Sequence, residues 1–310
     1  MSRLKLLAAN EQGVPPLGAG HSLCQGCGIP IVVRTVLDAI PGKKVVISAT
    51  GCLEVATTRF PTTAWNVPWV HVAFENAAAV ASGVETAYRA LARRGALPQE
   101  GPITFVVLAG DGGTYDIGMQ ALSGALERGH RFVFCCYDNE AYMNTGVQRS
   151  GATPFGASTT TSPSGEVGLG KLQERKDMTA IAVAHHVPYV AQAAASHWYD
   201  LAVKADRAAA ALGPAFLNVL SDCPVGWGHE PRDFKRVLDA AVETRFWPLY
   251  EVVDGQYRLT YEPQEHLPID AWLRGQKRFK HLFDPKNADL VRHAQHRVDA
   301  DWERLLALCA

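Results

Sequence analysis

The sequence predicts a doubly wound α/β domain on a mostly parallel sheet, followed by a smaller α+β extension. Three observations carry this. Residues 103–110, ITFVVLAG, are a near-continuous apolar run, the mark of a parallel strand covered on both faces. A Gly-rich turn, a helical pattern and a second apolar run, RFVFCCYD (131–138), follow it and complete a βαβ unit. Apolar runs alternate with helical stretches on either side of this unit, as far as residue 220.

Taken in order, GIPIVVRTVLDAI predicts a helix from Gly28 to about Ile40 after a Gly/Pro-rich opening, and KKVVISATG a buried strand ending at Gly51. WVHVAFE (69–75) predicts the next strand, running into an alanine-rich helix. Beyond the GDGG turn, DIGMQALSGALERG predicts a helix stopped by Gly129. From Asn139 to Gly170 the pattern is irregular; a loop of this length in a compact domain is usually functional or mobile. Alternation resumes with a helix over 177–186, a strand near YVAQA, a helix over 197–212 and a strand over 215–220. The pattern then changes to a helix near 232–244, a β-hairpin from about Tyr250 to Tyr261 around DGQ, and two charged helices. Residues 1–225 therefore read as the α/β domain and 226–310 as a tail packing on it or on a partner.

With 310 residues, 47% hydrophobic and 20% charged, the chain is long enough for one large core. A net charge of −1 gives no electrostatic argument for nucleic acid or an anionic membrane as partner. No apolar run approaches the roughly 20 residues that span a bilayer, and the opening MSRLKLLAANEQGVPP lacks the apolar core of a signal peptide. The expected location is the cytoplasm, where the seven cysteines are thiols or metal ligands rather than disulfides. Cys135 and Cys136 lie inside an apolar strand and read as buried structural residues; Cys309 is one residue from a loose C-terminus.

Two patterns carry chemistry. Gly110-Asp111-Gly112 leaves the C-terminal end of a buried strand, where open α/β sheets bind ligands, and Asn139 stands at the end of the next strand. Glycines let the backbone approach phosphates, the following helix turns its positive N-terminus toward them, and two oxygen ligands begin the octahedral shell of a magnesium ion. GDG alone is a common turn; GDG after one strand and Asn after the next is the pattern of a magnesium diphosphate site. The second pattern is Cys24-x2-Cys27 with distant Cys52 and Cys223, all among Gly, Pro and small polar residues. Four thiolates suit either zinc or a [4Fe–4S] cube, and the spacing alone leaves both open.

At these motifs the chain resembles the thiamine-diphosphate motif of thiamine-dependent enzymes. It is similar, more specifically, to the β subunit of pyruvate synthase, a 2-oxoacid:ferredoxin oxidoreductase. The likeness lies in CQGCG, ATGCLEV, AWNVPWVHVAFENAAAVASGVE, GDGGTYDIGMQALSGALERGH, DNEAYMNTGVQRSGATPFGA and SDCPVGW, and runs from about Ser22 to Leu282. The resemblance implies the thiamine diphosphate-binding fold, with Asp111 and Asn139 binding Mg2+ by side chain and Ala141 by its carbonyl. It implies that Gly51, Cys52, Gly110, Gly112, Gly113 and Thr145 line the cofactor, and that Asn144 is the catalytic residue near the reacting carbon. It also implies that Cys24, Cys27, Cys52 and Cys223 ligate one [4Fe–4S] cluster rather than zinc. The implied activity is oxidative decarboxylation of a 2-oxoacid, pyruvate first, to acyl-CoA and carbon dioxide, with electrons passed to the cluster.

Other features take a structural reading. His185 and His186 end an apolar helix and partner its C-terminal charge; Trp65 and Trp69 are core or interface anchors; Glu75 favours a helix dipole; the charges of the last helix form a solvated face. No glutamate of this chain is assignable to cofactor activation, and no C-x2-C-x2-C-x3-C run is present. The resemblance places these functions in α/γ-type partner subunits and a ferredoxin-like electron-carrier subunit, with the 2-oxoacid and coenzyme A at a shared site. Aryl glyoxylate, branched-chain 2-oxoacids and oxalate remain open as substrates. From other classes, a non-redox thiamine decarboxylase or synthase needs no cysteine set, and a zinc-stabilised scaffold needs no cofactor. The AWNVPWV segment and residues 145–170 are the expected partner contacts, the first as an exposed aromatic patch and the second as a mobile loop.

Overall fold

The computed structural model describes residues 13–97, 101, 103–264 and 266–310. Eight strands form one sheet in the order β2-β1-β3-β4-β6-β5-β7-β8. These are β1 (Lys43–Ala49), β2 (Trp69–Val72), β3 (Ile103–Gly110), β4 (Val133–Asp138), β5 (Tyr189–Ala194), β6 (Ala215–Leu220), β7 (Tyr250–Val253) and β8 (Gln256–Leu259). The first six are parallel; β7 runs antiparallel to β5, and β8 antiparallel to β7.

Successive side chains of a strand face opposite sides of a sheet, and two apolar layers follow. Val106, Leu108, Cys135 and Leu217 face the helices α1 (Ile29–Ala39), α6 (Trp198–Ala210) and α7 (Phe234–Glu243). Val107, Phe134, Cys136 and Phe216 face α3 (Ala77–Arg93), α4 (Met119–Glu127), α5 (Met178–Val183) and α9 (Ala288–Cys309). The adjacent pair Cys135 and Cys136 is thus split between two dry layers. Both are fully buried, and burial pushes the Cys135 thiol up to about 12.

The crossovers place the ligand crevice. From β1 the chain moves outward to β2, then crosses back to lay β3 on the opposite side of β1. Loops leaving the C-terminal ends of β1 and β3 therefore diverge, opening the crevice where such sheets bind ligands. Gly51-Cys52 leaves β1, opening the short helix α2 (Cys52–Thr57), and Asp111 leaves β3.

Several expectations are corrected. The chain after Asp111 makes a π-helical turn, Gly112–Asp116, and regular helix starts only at Met119. Residues 150–157 are not a mobile loop: Ser150, Ala152, Thr153 and Ala157 are buried, because their polar groups bond the floor of the crevice. The end of the chain is one 22-residue helix, α9, preceded by the four-residue α8 (Asp270–Leu273) and a 3-10 stretch, Lys277–Phe283. Cys309 is held in the last turn of α9 and packs against the second layer rather than lying loose. The hairpin is as expected: Asp254 and Gly255 both have positive φ, the two-residue turn whose twist matches paired strands. It adds β7 and β8 to the edge of the main sheet.

Trp65 is buried, its indole N–H donating to Thr57 Oγ1 at 2.9 Å, and Trp69 stacks on it at 5.9 Å. AWNVPWV is therefore not an exposed aromatic patch. His185 bonds the Ile181 carbonyl in the last turn of α5 at 2.9 Å, as expected of a helix-end partner.

Candidate functional site

Gly51, Cys52, Gly110, Asp111, Gly112, Asn139, Ala141, Asn144 and Thr145 line one cavity of about 120 Å³ at the crevice. Gly113 lies beside it, against Phe74. Gly112 is required by close approach: a Cβ there would lie 2.1 Å from the Tyr142 ring, so any larger residue pushes this wall aside. Asn144 and Thr145 are exposed at the mouth, where Thr145 Oγ1 donates to Gln148 Oε1 at 2.6 Å.

Three oxygen-bearing groups converge at the base. The Asn139 carboxamide lies 3.0 Å from Asp111 Oδ1 and 3.1 Å from the Ala141 carbonyl oxygen. With its nitrogen inward it donates to both; with its oxygen inward three oxygens meet. In an octahedral magnesium shell with bonds of about 2.1 Å, neighbouring oxygens stand about 3.0 Å apart, the bond length times √2. The spacing observed is that of one face edge of such a shell. Asp111 is buried, and burial first, then repulsion from Asp138, holds its carboxyl well above the usual carboxylate range. A cation at this point offsets both effects. Ser150 Oγ donates to Asp111 Oδ2 at 2.5 Å, leaving Oδ1 turned to the convergence. The buried Tyr137 hydroxyl, on the same cavity, has no partner among the described residues and offers a hydrogen bond to a ligand.

Beneath the cavity the turn after β4 is fixed from all sides. Asp138 accepts from the Glu140 N–H at 3.0 Å, from Tyr115 Oη at 2.6 Å and from Arg175 at 2.7 Å. Glu140, with φ of 69°, pairs with Arg175 at 3.1 Å and Arg278 at 2.5 Å. Thr153 Oγ1 donates to the Glu140 carbonyl at 2.6 Å, and the Trp227 indole N–H donates to the Asn139 carbonyl at 2.8 Å. Fully bonded buried networks of this kind hold a single geometry. Arg175, Trp227 and Arg278 were missed as site residues; only the Trp of SDCPVGW offered a signal. Glu75 does not line the cavity.

The four cysteines come into one neighbourhood. Cys52 feels the charges of Cys223 and Cys24, and Cys27 those of Cys223 and Cys52. Burial, then the neighbouring Cys223, pushes the Cys52 thiol up to about 12, and burial, then the Asp222 carboxylate ahead of the other cysteines, raises Cys27 and Cys223. All four are free thiols. The Cys24–Cys27 and Cys223 segments abut, since a Cβ at Gly28 would lie 2.6 Å from Asp222 Oδ1, and the Gly226 N–H donates to Cys223 Sγ at 3.3 Å. Among the described residues no three His, Cys, Asp or Glu side chains are already gathered tightly enough to hold a metal. The donor set nonetheless fits an iron–sulfur cube, which takes four thiolates and backbone N–H bonds to sulfur.

Among the described residues no helix is long and apolar enough to cross a membrane.

Residues 49–219 match the family described as thiamine pyrophosphate enzyme, C-terminal TPP binding domain. The chain is 50% identical over 289 residues to pyruvate synthase subunit PorB of Methanothermobacter marburgensis, covering 93% of this chain and 96% of that one. It is 47% identical to the subunit of the same name from Thermotoga maritima, with 93% and 90% covered. Ketoisovalerate oxidoreductase subunit VorB of Pyrococcus horikoshii is 39% identical, with 94% and 92% covered. In fold, the chain is similar to a 2-oxoglutarate:ferredoxin oxidoreductase from Magnetococcus marinus, solved with 2-oxoglutarate, coenzyme A and succinyl-CoA bound. The TM-score is 0.56 at 24% identity, with 69% of each chain covered.

Proposed function

From the premise that this chain belongs to the family of pyruvate synthase subunit PorB, a family of thiamine pyrophosphate enzymes, we propose that it is one subunit of a 2-oxoacid:ferredoxin-type oxidoreductase. The complex oxidatively decarboxylates pyruvate to acetyl-CoA and carbon dioxide, passing electrons to a [4Fe–4S] cluster held by this subunit. The observation that carries the reading is the convergence of Asp111, Asn139 and Ala141 at the spacing of an octahedral cation shell, inside the crevice of the sheet.

Bound thiamine diphosphate would supply an electron sink for loss of carbon dioxide. Asp111 and Asn139 would hold Mg2+ by side chain and Ala141 by its carbonyl, while Ser150 keeps the second Asp111 oxygen turned away. Gly51, Gly110 and Gly112 leave room for the diphosphate to approach the backbone, and Gly113 supports the turn behind them. Asn144 and Thr145, at the mouth, would face the reacting end. Cys24, Cys27, Cys52 and Cys223 would hold the cluster, and Cys52 borders the cavity, which favours short-range electron transfer.

Pyruvate is preferred over a branched-chain 2-oxoacid because the relatives named for pyruvate, at 50% and 47%, are more similar than the one named for ketoisovalerate, at 39%. The α/γ-type and ferredoxin-like partner subunits supply the cofactor-activating carboxylate, the rest of the substrate pocket and the electron exit. The test is to purify the whole complex without oxygen and follow viologen reduction with coenzyme A and either pyruvate or ketoisovalerate. Faster turnover of pyruvate, together with loss of one cluster's iron from the Cys223→Ser complex, supports the reading. Unchanged iron in that variant or a preference for ketoisovalerate refutes its corresponding part.

A further inference from the structure

The loop that carries Cys223 and the loop that carries Asn139 are joined by two direct contacts and by a bridge through Arg278. Trp227 is fully buried; its indole N–H donates to the Asn139 carbonyl at 2.8 Å, and its backbone N–H donates to the Cys223 carbonyl at 2.8 Å. Arg278 stacks 4.2 Å above the Trp227 ring while pairing with Glu140, which fixes the plane of the indole. Met143, between Ala141 and Asn144, packs onto Gly226 of the cysteine loop, where an added Cβ would lie 2.3 Å from its sulfur. Each loop is thus held in place by the other.

We propose that Trp227 is a positioning residue that couples the two sites, so that filling the four-cysteine site tightens the cation–diphosphate site, and the reverse. The inference rests on the function proposed above. A ligand that fixes Cys223 fixes the Pro224–Gly228 turn, and the turn fixes the Asn139 carbonyl through the indole. The Asn139 side chain and the Ala141 carbonyl are aimed from that same backbone. Two sites that bias one element are coupled, and the coupling is reciprocal.

The test compares the whole complex as purified with the complex stripped of iron, measuring Mg2+-dependent thiamine diphosphate affinity by calorimetry. In the wild type, stripping should weaken affinity by roughly fivefold or more, the lower range of ordinary coupling. Trp227→Phe keeps the ring and its stacking but leaves the Asn139 carbonyl unpartnered in a dry interior. It should bind the diphosphate weakly in both states, with the dependence on iron gone. Gly226→Ala, which pushes Met143 away from the loop, should also lose the dependence, and it answers the question if Trp227→Phe fails to assemble. A merely structural role for Trp227 would weaken binding and leave the iron dependence intact, and that result overturns the proposal. So does a wild type whose affinity ignores iron. A Cys223→Ser complex that keeps all of its iron, or an Asp111→Ala complex that binds the diphosphate normally, refutes instead the function on which the coupling rests.

Discussion

Ser150→Ala isolates the charge placement at the cation site. Ser150 is buried, and its hydroxyl donates to Asp111 Oδ2 at 2.5 Å. A hydrogen bond to a charged group contributes about 1.5–3 kcal/mol, and its loss leaves a buried carboxylate oxygen bare. Solvent does not replace the hydroxyl, because the neighbouring Ala152 and Thr153 are fully buried. At about 1.4 kcal/mol per tenfold, Mg2+ affinity in the presence of thiamine diphosphate should fall roughly 10- to 100-fold. The assay is a Mg2+ titration of the anaerobic complex at fixed thiamine diphosphate, with iron content as the control for folding. Iron should be unchanged, since Ser150 touches no cysteine. Magnesium affinity within twofold of wild type, in a protein that keeps its iron, would refute the claim that Ser150 orients Asp111.

Cys223→Ser should lose or convert the cluster while Cys135→Ser, in the strand core, retains full iron; iron analysis and the visible spectrum decide. Asp111→Ala should abolish Mg2+-dependent diphosphate binding in calorimetry with iron largely intact, because Asp111 meets the cation and not the cysteines. Arg278→Met breaks one arm of the buried pair with Glu140 and should cost about 3 kcal/mol, the lower end for such a loss because Arg175 still contacts Glu140. Thermal denaturation of the complex would report it as a lowered Tm. The chain alone, supplied with thiamine diphosphate, Mg2+, coenzyme A, pyruvate and viologen, should not turn over, and turnover at the rate of the complex would sink the shared-site reading.

What was legible in the sequence was local. ITFVVLAG reads as a two-face-buried strand because its apolar run is near-continuous, and it forms β3 over those eight positions. Asp111 and Asn139 were legible because each follows a strand end, and parallel strands bring their C-terminal ends together. The remainder depends on pairs far apart in the chain. Arg175 and Arg278 meet Asp138 and Glu140 across 37 and 138 residues, and nothing in their own neighbourhoods distinguishes them from solvated arginines. The 139–170 stretch looked loose because it has no periodicity. Its order comes from Ser150 and Thr153, and from Lys171 just beyond it, bonding carbonyls and carboxylates 13 to 39 residues away, which leaves no repeating pattern. Trp65 takes the core side of its core-or-interface reading, and it is the AWNVPWV segment read as an exposed patch that fails.

The charged quartet under the crevice also sets the order of events there. Asp138 and Glu140 carry two negative charges, Arg175 and Arg278 two positive, so the quartet is electroneutral by itself. Among the described residues Asp111 has no ion-pair partner. Once ionised, it would repel a diphosphate arriving alone, whereas a monovalent cation would merely cancel it. A divalent cation reverses the sign of the crevice to about one positive charge, and only then does a polyanion gain by entering. In the function proposed here, cation and diphosphate should arrive together or cation first, because the quartet beneath the crevice contributes no net positive charge.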